Sequence, residues 1–421
     1  MSLSGSGNMN TKNEKEVYHS FAVLLFFFFL ITVLPQMLYI ERGNVGGTQV
    51  KALLLVSFYV IALLMLLRKK IKINEKELLV GLLFLAVQLF ANIIPSQYTH
   101  FSSAIMINIA IATSYYLFLE SFFSRLRLER DDIALFARLY QIFILYACVV
   151  NVVTNWSIIP SLITSLNGYA FTTSSFFSNR NTFALFLLAG VILSIYRLKI
   201  KNKNLTDICL LAFIIFNLIL TLSRTSLLGM LVFFIVIRVF RDQGKEYKGI
   251  FKLLAIGAMF ISLITVSGLA DFFINSVLRA DVGSTGRIEI WEAVGNIYKN
   301  SNLLTGVGMG ISDFITIHNT YLSILLYGGI FFIAFYIRVF VRFIKLCSYI
   351  LKQEYDIGIY FVASLLAFFS VTLTETCIPF FSSSQAMIYT ILVFMIPRYY
   401  ANTIMYNNLK KDDDHENINH I

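Results

Sequence analysis

The chain is poor in charge and in cysteine, and each shortage excludes a class of protein. Only 14% of its 421 residues are charged, well below the roughly 25% typical of soluble domains. The four cysteines, Cys148, Cys209, Cys347 and Cys377, stand singly in or beside apolar runs, with no Cys-x-x-Cys pair. The sequence therefore supports neither a disulfide framework nor a zinc site. We also detect no internal repeat and no soluble domain.

Apolar residues are abundant instead, at 57% of the chain with a mean hydropathy of +0.74. Apolar runs of about 16 to 25 residues recur from Phe21 to Ala401, the length needed to span roughly 30 Å of hydrocarbon. We therefore predict an all-α integral membrane protein, a polytopic bundle of about twelve transmembrane helices. The predicted spans are 20–38, 51–67, 78–94, 103–122, 133–155, 181–197, 205–222, 225–240, 250–268, 317–341, 357–375 and 384–401.

Lysine and arginine are distributed unevenly between these spans. Most lie in alternate connections, for example Arg68 to Lys76, Arg197 to Lys203 and Arg241 to Lys252. Because cytoplasmic loops are enriched in Lys and Arg, we assign these connections and both termini to the cytoplasm, and the net charge of +10 requires no nucleic-acid partner. The basic residues that then face outward are Arg42, Lys51, Arg180, Arg224, Arg279, Arg287 and Lys299.

The predicted organisation is simple. Residues 1–8 (MSLSGSGN) have the composition of an expression-tag remnant ahead of a natural start at Met9. Residues 9–401 form one integral membrane domain, and 402–421 form a solvated cytoplasmic tail. One outer connection, 269–316, is long, and long ordered loops in compact proteins tend to be functional. This loop is therefore the candidate catalytic element.

Within the outer loop, the pattern from Arg287 to Tyr298 predicts a helix with two faces. Trp291 and Val294 lie on its apolar face and Glu292 lies elsewhere, which indicates an interfacial amphipathic helix with a tryptophan anchor. The turn Gly306 to Gly310 follows. It lacks the spacing and the preceding strand of a nucleotide-binding loop, so we interpret its glycines as allowing positive φ or close approach to a ligand.

Three outward arginines lie where a cation is unfavourable. Arg180 and Arg287 each open a predicted helix, where the helix dipole repels positive charge. Arg224 lies at a tight hairpin between two spans, where charge is costly unless it is paired or functional. A bound anion would compensate these charges; the alternative is snorkelling to lipid phosphate or a rim carboxylate. The neighbouring hydroxyls either add hydrogen bonds to such an anion or satisfy their own helix ends; they belong to Ser223, Thr225 and Ser226.

His318 opens the tenth predicted span on the same side, and Asn319 follows it. Histidine is the side chain best suited to accept a proton near neutral pH, although a lone interfacial histidine is more often a hydrogen-bonding residue. Its conjunction with the three arginines favours an anion site with an adjacent base. If His318 is not the base, either Asp281, Asp313 or Glu375 takes that role or the reaction needs no base.

The same segments carry a family resemblance. Together they resemble the signature block of the O-antigen ligase and polymerase superfamily of bacterial membrane glycosyltransferases. The block runs Gly286-Arg287-(x)3-Trp291, then Leu304-x-Gly306-x-Gly308, then His318-Asn319-x-Tyr321-Leu322 and Gly328-Gly329-Ile330. Asn179-Arg180-Asn181 and Ser223-Arg224-Thr225-Ser226 are similar to the family's other two landmarks. The motifs cover about residues 170–345, and the topology covers nearly the whole chain.

The resemblance implies a metal-independent, cofactor-free glycosyltransferase that takes a glycan from undecaprenyl diphosphate at the outer face of the bacterial plasma (inner) membrane. Its partners would be the lipid-linked donor, the acceptor glycan, the bilayer and, for a polymerase, a chain-length regulator. Arg180, Arg224, Arg287, Ser223 and Thr225 would bind the diphosphate, with Arg224 and Arg287 stabilising the leaving group. His318 would accept the acceptor's proton, and Asn319, Tyr321 and Trp291 would position the acceptor.

The acceptor decides between two activities in this family. A polymerase transfers the glycan to a sugar hydroxyl of another lipid-linked repeat unit, whereas a ligase transfers it to the lipid A core. The block from His318 to Ile330 is more similar to polymerases, so we favour that activity. A lipid-linked oligosaccharide flippase or other transporter is the alternative from another class. A transporter, however, is expected to hold its charges near the bilayer midplane and has no need of the long outer loop.

Overall fold

The computed structural model describes residues 7–37, 46–68, 73–93, 102–157, 159, 173–177, 179–201, 204–240, 287–308 and 317–418. These ranges contain helices and no β-strand, which confirms the all-α prediction. The helices are α1 (Gly7–Met37), α2 (Gly46–Arg68), α3 (Glu75–Ile93), α4 (Ser103–Tyr116), α5 (Arg130–Thr154), α6 (Arg180–Ile200), α7 (Leu205–Leu220), α8 (Arg224–Phe240), α9 (Arg287–Lys299), α10 (Thr320–Gln353), α11 (Tyr355–Thr372), α12 (Ser384–Tyr389) and α13 (Ile396–Ile418). π-Helical segments, Leu117–Phe122 and Thr390–Met395, extend α4 and join α12 to α13.

Six helices of the described ranges are long and apolar enough to cross a membrane: Glu75–Ile93, Ile105–Phe122, Arg130–Thr154, Arg180–Ile200, Thr320–Gln353 and Tyr355–Thr372. Shorter apolar helices cover Phe21–Met37, Gln49–Leu64 and Leu205–Leu220. The predicted spans other than 250–268, which lies outside the described residues, fall largely on these helices. Helix α1 begins well before the span 20–38, and α10 and α13 end well after the spans 317–341 and 384–401. The chain is thus a helical protein of membrane type.

Helix α6 lies at the centre of the packing. Its residues from Phe183 to Leu193 are all buried, and α5, α7 and α8 surround it. Gly229 of α8 lies where α8 meets both α6 and α11. A Cβ at this position would lie 2.8 Å from Leu188 Cδ2 and 2.9 Å from Val371 Cγ2. The absence of a side chain therefore allows the three helices to approach closely.

Ion pairs collect at one end of the bundle. Arg130, at the start of α5, contacts Glu354 at 2.6 Å and Asp356 at 3.0 Å, both at the start of α11. Arg197, near the end of α6, lies 3.1 Å from Asp207, near the start of α7. We call this the ion-pair end. Its arginines are among the residues that the sequence assigns to the cytoplasm.

Five charged side chains near that end form an ionic cluster, in which the two carboxylates and Arg398 are buried: Glu77, Glu120, Arg338, Arg342 and Arg398. Glu77 Oε1 lies 2.7 Å from Arg338 Nη2 and 2.9 Å from Arg342 Nη1. Glu120 Oε2 lies 2.9 Å from Arg342 Nη1 and also contacts Arg398 Nη1. The three arginines, treated in the sequence only as charges that set topology, therefore neutralise two buried carboxylates. The cluster joins α3, α4, α10 and α13.

The predicted solvated tail is helical at its start. Helix α13 continues past Ala401 to Ile418. Asn402 Nδ2 donates to Leu126 O over 2.8 Å, and Thr403 Oγ1 donates to Leu128 O over 2.8 Å. These side chains bind the connection between α4 and α5, so they hold the first turn of the expected tail against the bundle. The segment predicted as the tail from residue 402 therefore begins as a continuation of α13.

Helix α10 is interrupted at Gly329, which has φ 57° and ψ −148°. The interruption releases the amides of Ile330 and Phe331 from the helix. They donate instead to Leu303 O over 3.1 Å and to Leu304 O over 3.2 Å. Leu303 and Leu304, in the segment predicted as the outer loop, are therefore docked into the break in α10 through backbone hydrogen bonds.

The glycine turn makes this docking possible. Gly306 and Gly308 have φ values of 66° and 79°, which confirms the prediction of positive φ. A Cβ at Gly306 would lie 2.3 Å from Leu326 O of α10. The close approach that we expected toward a ligand is thus made to the protein's own helix. Met309 and Gly310 lie outside the described residues.

Candidate active site

The predicted site segments meet at Thr372–Cys377, which we call the junction segment. Asn181 Nδ2, at the start of α6, donates to Glu375 Oε1 over 2.8 Å. At the start of α8, Thr225 Oγ1 lies 2.8 Å from Thr374 Oγ1. The starts of α6 and α8 are therefore fastened to neighbouring residues of one segment.

His318 joins the same segment. Its Nδ1 lies 3.4 Å from Glu375 Oε2, and the two side chains are 26% and 9% exposed. The backbone of His318 has φ 49°, a left-handed conformation that costs a non-glycine residue about 1–3 kcal/mol and clusters at functional sites. Thr320 Oγ1 donates to Glu375 O and accepts from Cys377 N, both over 2.8 Å. These bonds hold the start of α10 against the junction segment.

Asn319 and Tyr321, predicted to position an acceptor, both bond to their own chain. Asn319 Oδ1 caps α10 by accepting from Leu322 N over 3.0 Å, and its Nδ2 donates to Leu373 O over 2.9 Å. The hydroxyl of Tyr321 lies 3.0 Å from Thr372 Oγ1. These residues therefore set the position of His318 relative to the junction segment.

The amphipathic helix α9 supports His318 from another direction. Val294 is buried against Ile317, while Glu292 is exposed, so the two predicted faces are confirmed. Trp291 Nε1 donates to Ile317 O over 2.9 Å. The apolar face thus packs on the start of α10. The sequence had predicted that this face anchors the helix in the membrane interface. The polar edge of Trp291 fixes the residue that precedes His318.

Each predicted arginine is the first residue of its helix. Arg180 opens α6, Arg224 opens α8 and Arg287 opens α9. Arg180 and Arg224 are half-buried, whereas the side chain of Arg287 lies outside the described residues. Helix N-termini carry partial positive charge and present amides toward anions. The starts of α6, α8 and α10, fastened to one segment and accompanied by two arginines, form a face suited to binding an anion.

The hydroxyls around Arg224 divide into two groups. Thr225 is paired with Thr374. Ser223 Oγ and Ser226 Oγ are buried with no hydrogen-bond partner among the described residues. An unpaired buried hydroxyl costs about 1–3 kcal/mol. Thr225 thus takes the second of the two predicted roles, a hydrogen bond within the protein.

Cys377 does not add a nucleophile to the site. Burial, reinforced by the neighbouring Glu375 carboxylate, raises the pKa of the Cys377 thiol well above its usual range, so the thiol stays protonated. Within the residues that the structure describes, no group of three or more His, Cys, Asp or Glu side chains could hold a metal ion. The site is composed of a histidine, a carboxylate, guanidinium groups and hydroxyls.

Sequence reasoning missed the junction segment. It named Glu375 only as an outer carboxylate and an alternative base, and the other two alternatives, Asp281 and Asp313, lie outside the described residues. The available signal was the polar run from Thr372 to Glu375 at the end of an apolar span. Neither the scan of protein-family models nor the search of curated proteins gives a match to this chain. The arrangement of side chains itself is therefore the basis for assigning a function.

Proposed function

We propose that the protein is a membrane glycosyltransferase of the polymerase type, which joins lipid-linked repeat units of an O-antigen or other surface polysaccharide. The observation that carries the proposal is the meeting of three helix starts, two of them opened by arginine, with a histidine and a carboxylate. We place this end outside the bacterial plasma membrane and both termini inside. The basic residues of the ion-pair end and the even number of spans predicted from the sequence, about twelve, support that orientation.

The donor in this proposal is a glycan on undecaprenyl diphosphate. As the anomeric C–O bond breaks, the diphosphate leaves with the bonding electrons and its negative charge grows. Guanidinium groups bind phosphate oxygens in pairs and need no proton transfer to do so. Arg180, Arg224 and Arg287, aided by the helix N-termini and the Ser223 hydroxyl, would stabilise that charge in a partly dry site.

The acceptor is a sugar hydroxyl of a second lipid-linked unit. Its oxygen forms the new bond to the anomeric carbon while Nε2 of His318 takes its proton. The products are a longer lipid-linked glycan and undecaprenyl diphosphate, and the histidine then returns its proton to solvent. Trp291 and Asn319 act indirectly in this scheme, because they fix the backbone on either side of His318.

A transporter would use the same cations but is expected to bind its substrate near the bilayer midplane, at broken helices. Helix α10 is broken at Gly329, yet the released amides bond to Leu303 and Leu304. The protein's own loop fills the break, and the arginines lie at helix starts. This arrangement favours a transferase over a transporter.

The test uses purified protein and the lipid-linked repeat units that accumulate in source cells lacking this chain. The wild type is expected to produce polymer. Arg180→Lys and Arg224→Lys should each lose activity by about 10²-fold, because lysine cannot reproduce the guanidinium fork. His318→Ala should lower turnover by about 10²-fold or more. Lys299→Gln, which removes an exposed outer cation, is the control and should remain active.

Two further measurements separate the alternatives. Native mass spectrometry should detect undecaprenyl diphosphate bound to the wild type and not undecaprenol, which lacks the diphosphate. Transfer only to a lipid A core acceptor would establish the ligase alternative. If intact lipid-linked repeat units moved across the proteoliposome membrane without chain growth, the protein would be a transporter and the proposal would be overturned.

A further inference from the structure

We propose that Glu375 is the positioning residue for His318: it orients the imidazole for proton transfer and links it to the start of α6. This inference rests on the proposed function. Glu375 Oε2 lies 3.4 Å from His318 Nδ1, at the long end for a hydrogen bond. Catalytic hydrogen bonds often shorten once substrate is bound. A carboxylate at Nδ1 favours the tautomer whose proton is on Nδ1, which leaves the Nε2 lone pair for the acceptor.

Glu375 is itself held from two sides. Asn181 Nδ2 donates to Oε1 over 2.8 Å, and Thr320 Oγ1 donates to the backbone carbonyl over 2.8 Å. With one oxygen engaged by the amide and the other facing the imidazole, the carboxylate has a fixed orientation. Its side chain is 9% exposed, against 26% for His318. The more exposed imidazole is thus the group placed to meet an acceptor, and the carboxylate lies behind it.

Electrostatics give the carboxylate a second role. The elements that meet here carry Arg180 on α6, Arg224 on α8, Glu289 and Glu292 on α9, and the Cys377 thiol on the junction segment. Glu289 and Glu292 are exposed. Among these groups, the Glu375 carboxylate contacts the imidazole, with Oε2 3.4 Å from Nδ1. Glu375 therefore places a negative charge directly beside the histidine, on a face that also carries two arginines.

The hydrogen bond from Asn181 to Glu375 connects the proposed donor-binding residue Arg180 with the proposed base His318. Asn181 directly follows Arg180, the first residue of α6, and its amide holds Glu375. A movement of the start of α6 on binding the donor would therefore be transmitted to the carboxylate that orients the base. The donor-binding arginine and the base share one hydrogen-bonded connection.

The experiment compares turnover and rate–pH profiles of Glu375→Gln, Asn181→Ala and Thr376→Val, using the same accumulated repeat units. Glu375→Gln keeps the shape and removes the charge. We expect kcat to fall by about 10²-fold with KM changed less than about threefold. The acidic limb of the profile should move to lower pH, because the protonated imidazole loses its counter-charge. Thr376→Val alters the next side chain of the junction segment and should leave the limb unchanged.

Asn181→Ala provides a second route if Glu375→Gln does not fold. This change keeps the charge of the Glu375 carboxylate but removes the hydrogen bond that orients it. We therefore expect kcat to fall by about tenfold, while the acidic limb of the rate–pH profile stays at its wild-type pH. If the wild type makes polymer but both variants keep wild-type kcat and profile, Glu375 has no positioning role. If the wild type makes no polymer, the proposed function is overturned, and the role of Glu375 with it.

Discussion

Replacing Glu120 by glutamine is expected to destabilise the protein by about 3–5 kcal/mol, the range measured when one partner of a buried ion pair is removed. Glu120 is 1% exposed and Arg398 is 4% exposed. Their side chains are in contact, and Glu120 Oε2 also lies 2.9 Å from Arg342 Nη1. The remaining carboxylate, Glu77, is already engaged by Arg338 and Arg342. The change therefore leaves the guanidinium of Arg398 buried without its counter-charge.

The net charge of the ionic cluster suggests a second variant that checks the predicted loss of stability. The ionic cluster holds three arginines and two glutamates, a net charge of 3 − 2 = +1. Glu120→Gln raises that charge to +2, whereas the double change Glu120→Gln with Arg398→Met restores +1. Replacing both members of a buried pair is often neutral. The double variant should therefore regain most of the lost stability and be at least about 2 kcal/mol more stable than Glu120→Gln.

Reversible unfolding in mixed micelles of mild detergent and dodecyl sulfate, followed by helical circular dichroism, measures these differences directly. A loss of about 3 kcal/mol changes the unfolding equilibrium about 10²-fold, which the assay resolves easily. A single variant within about 1 kcal/mol of the wild type would refute the argument. So would a double variant no more stable than Glu120→Gln.

Three other outcomes are expected. In a Cys209→Ser background, which leaves only cysteines that the structure buries, Asn300→Cys should react with impermeant maleimide in intact cells and Lys410→Cys only after permeabilisation; the reverse pattern would overturn the orientation. Gly329→Ala should destabilise the protein by about 1–3 kcal/mol, because φ is 57° and its Cβ would lie 2.5 Å from a loop carbonyl. Gly295→Ala, with nothing within 4 Å, is the matched control and should be neutral or stabilising in the same unfolding assay. Since guanidinium groups stabilise the leaving diphosphate in the proposed reaction, polymer synthesis should survive EDTA; a loss restored by magnesium or manganese would contradict that mechanism.

The sequence predicts local features of the site well because these depend on neighbouring residues. Arg180 and Arg224 interrupt apolar runs, and both were placed within one residue of a helix start. Helix α10, predicted to end at 341, continues to Gln353. Its last turns contain arginine and lysine, which lower hydropathy but favour helix. Hydropathy therefore locates the apolar part of a helix better than its end.

Contacts between distant segments could not be predicted in the same way. His318 and Glu375 are 57 positions apart, and no pattern along a single chain indicates which helix ends are neighbours. Tyr321 was expected to meet an acceptor, but its hydroxyl lies beside Thr372. Polar side chains at span ends have many possible partners, and only the packing of the bundle selects one.

The docking of the outer loop into α10 has a consequence for how this protein can diversify. Leu303 and Leu304 hold the break through their backbone carbonyls, while their side chains are 50% and 52% exposed. A backbone hydrogen bond makes no demand on side-chain identity, so these two positions are free to change without loosening the loop. Gly306 and Gly329 are not, since each needs positive φ. Substitutions at these two positions can thus change the exposed surface of the loop while the position of His318 is preserved.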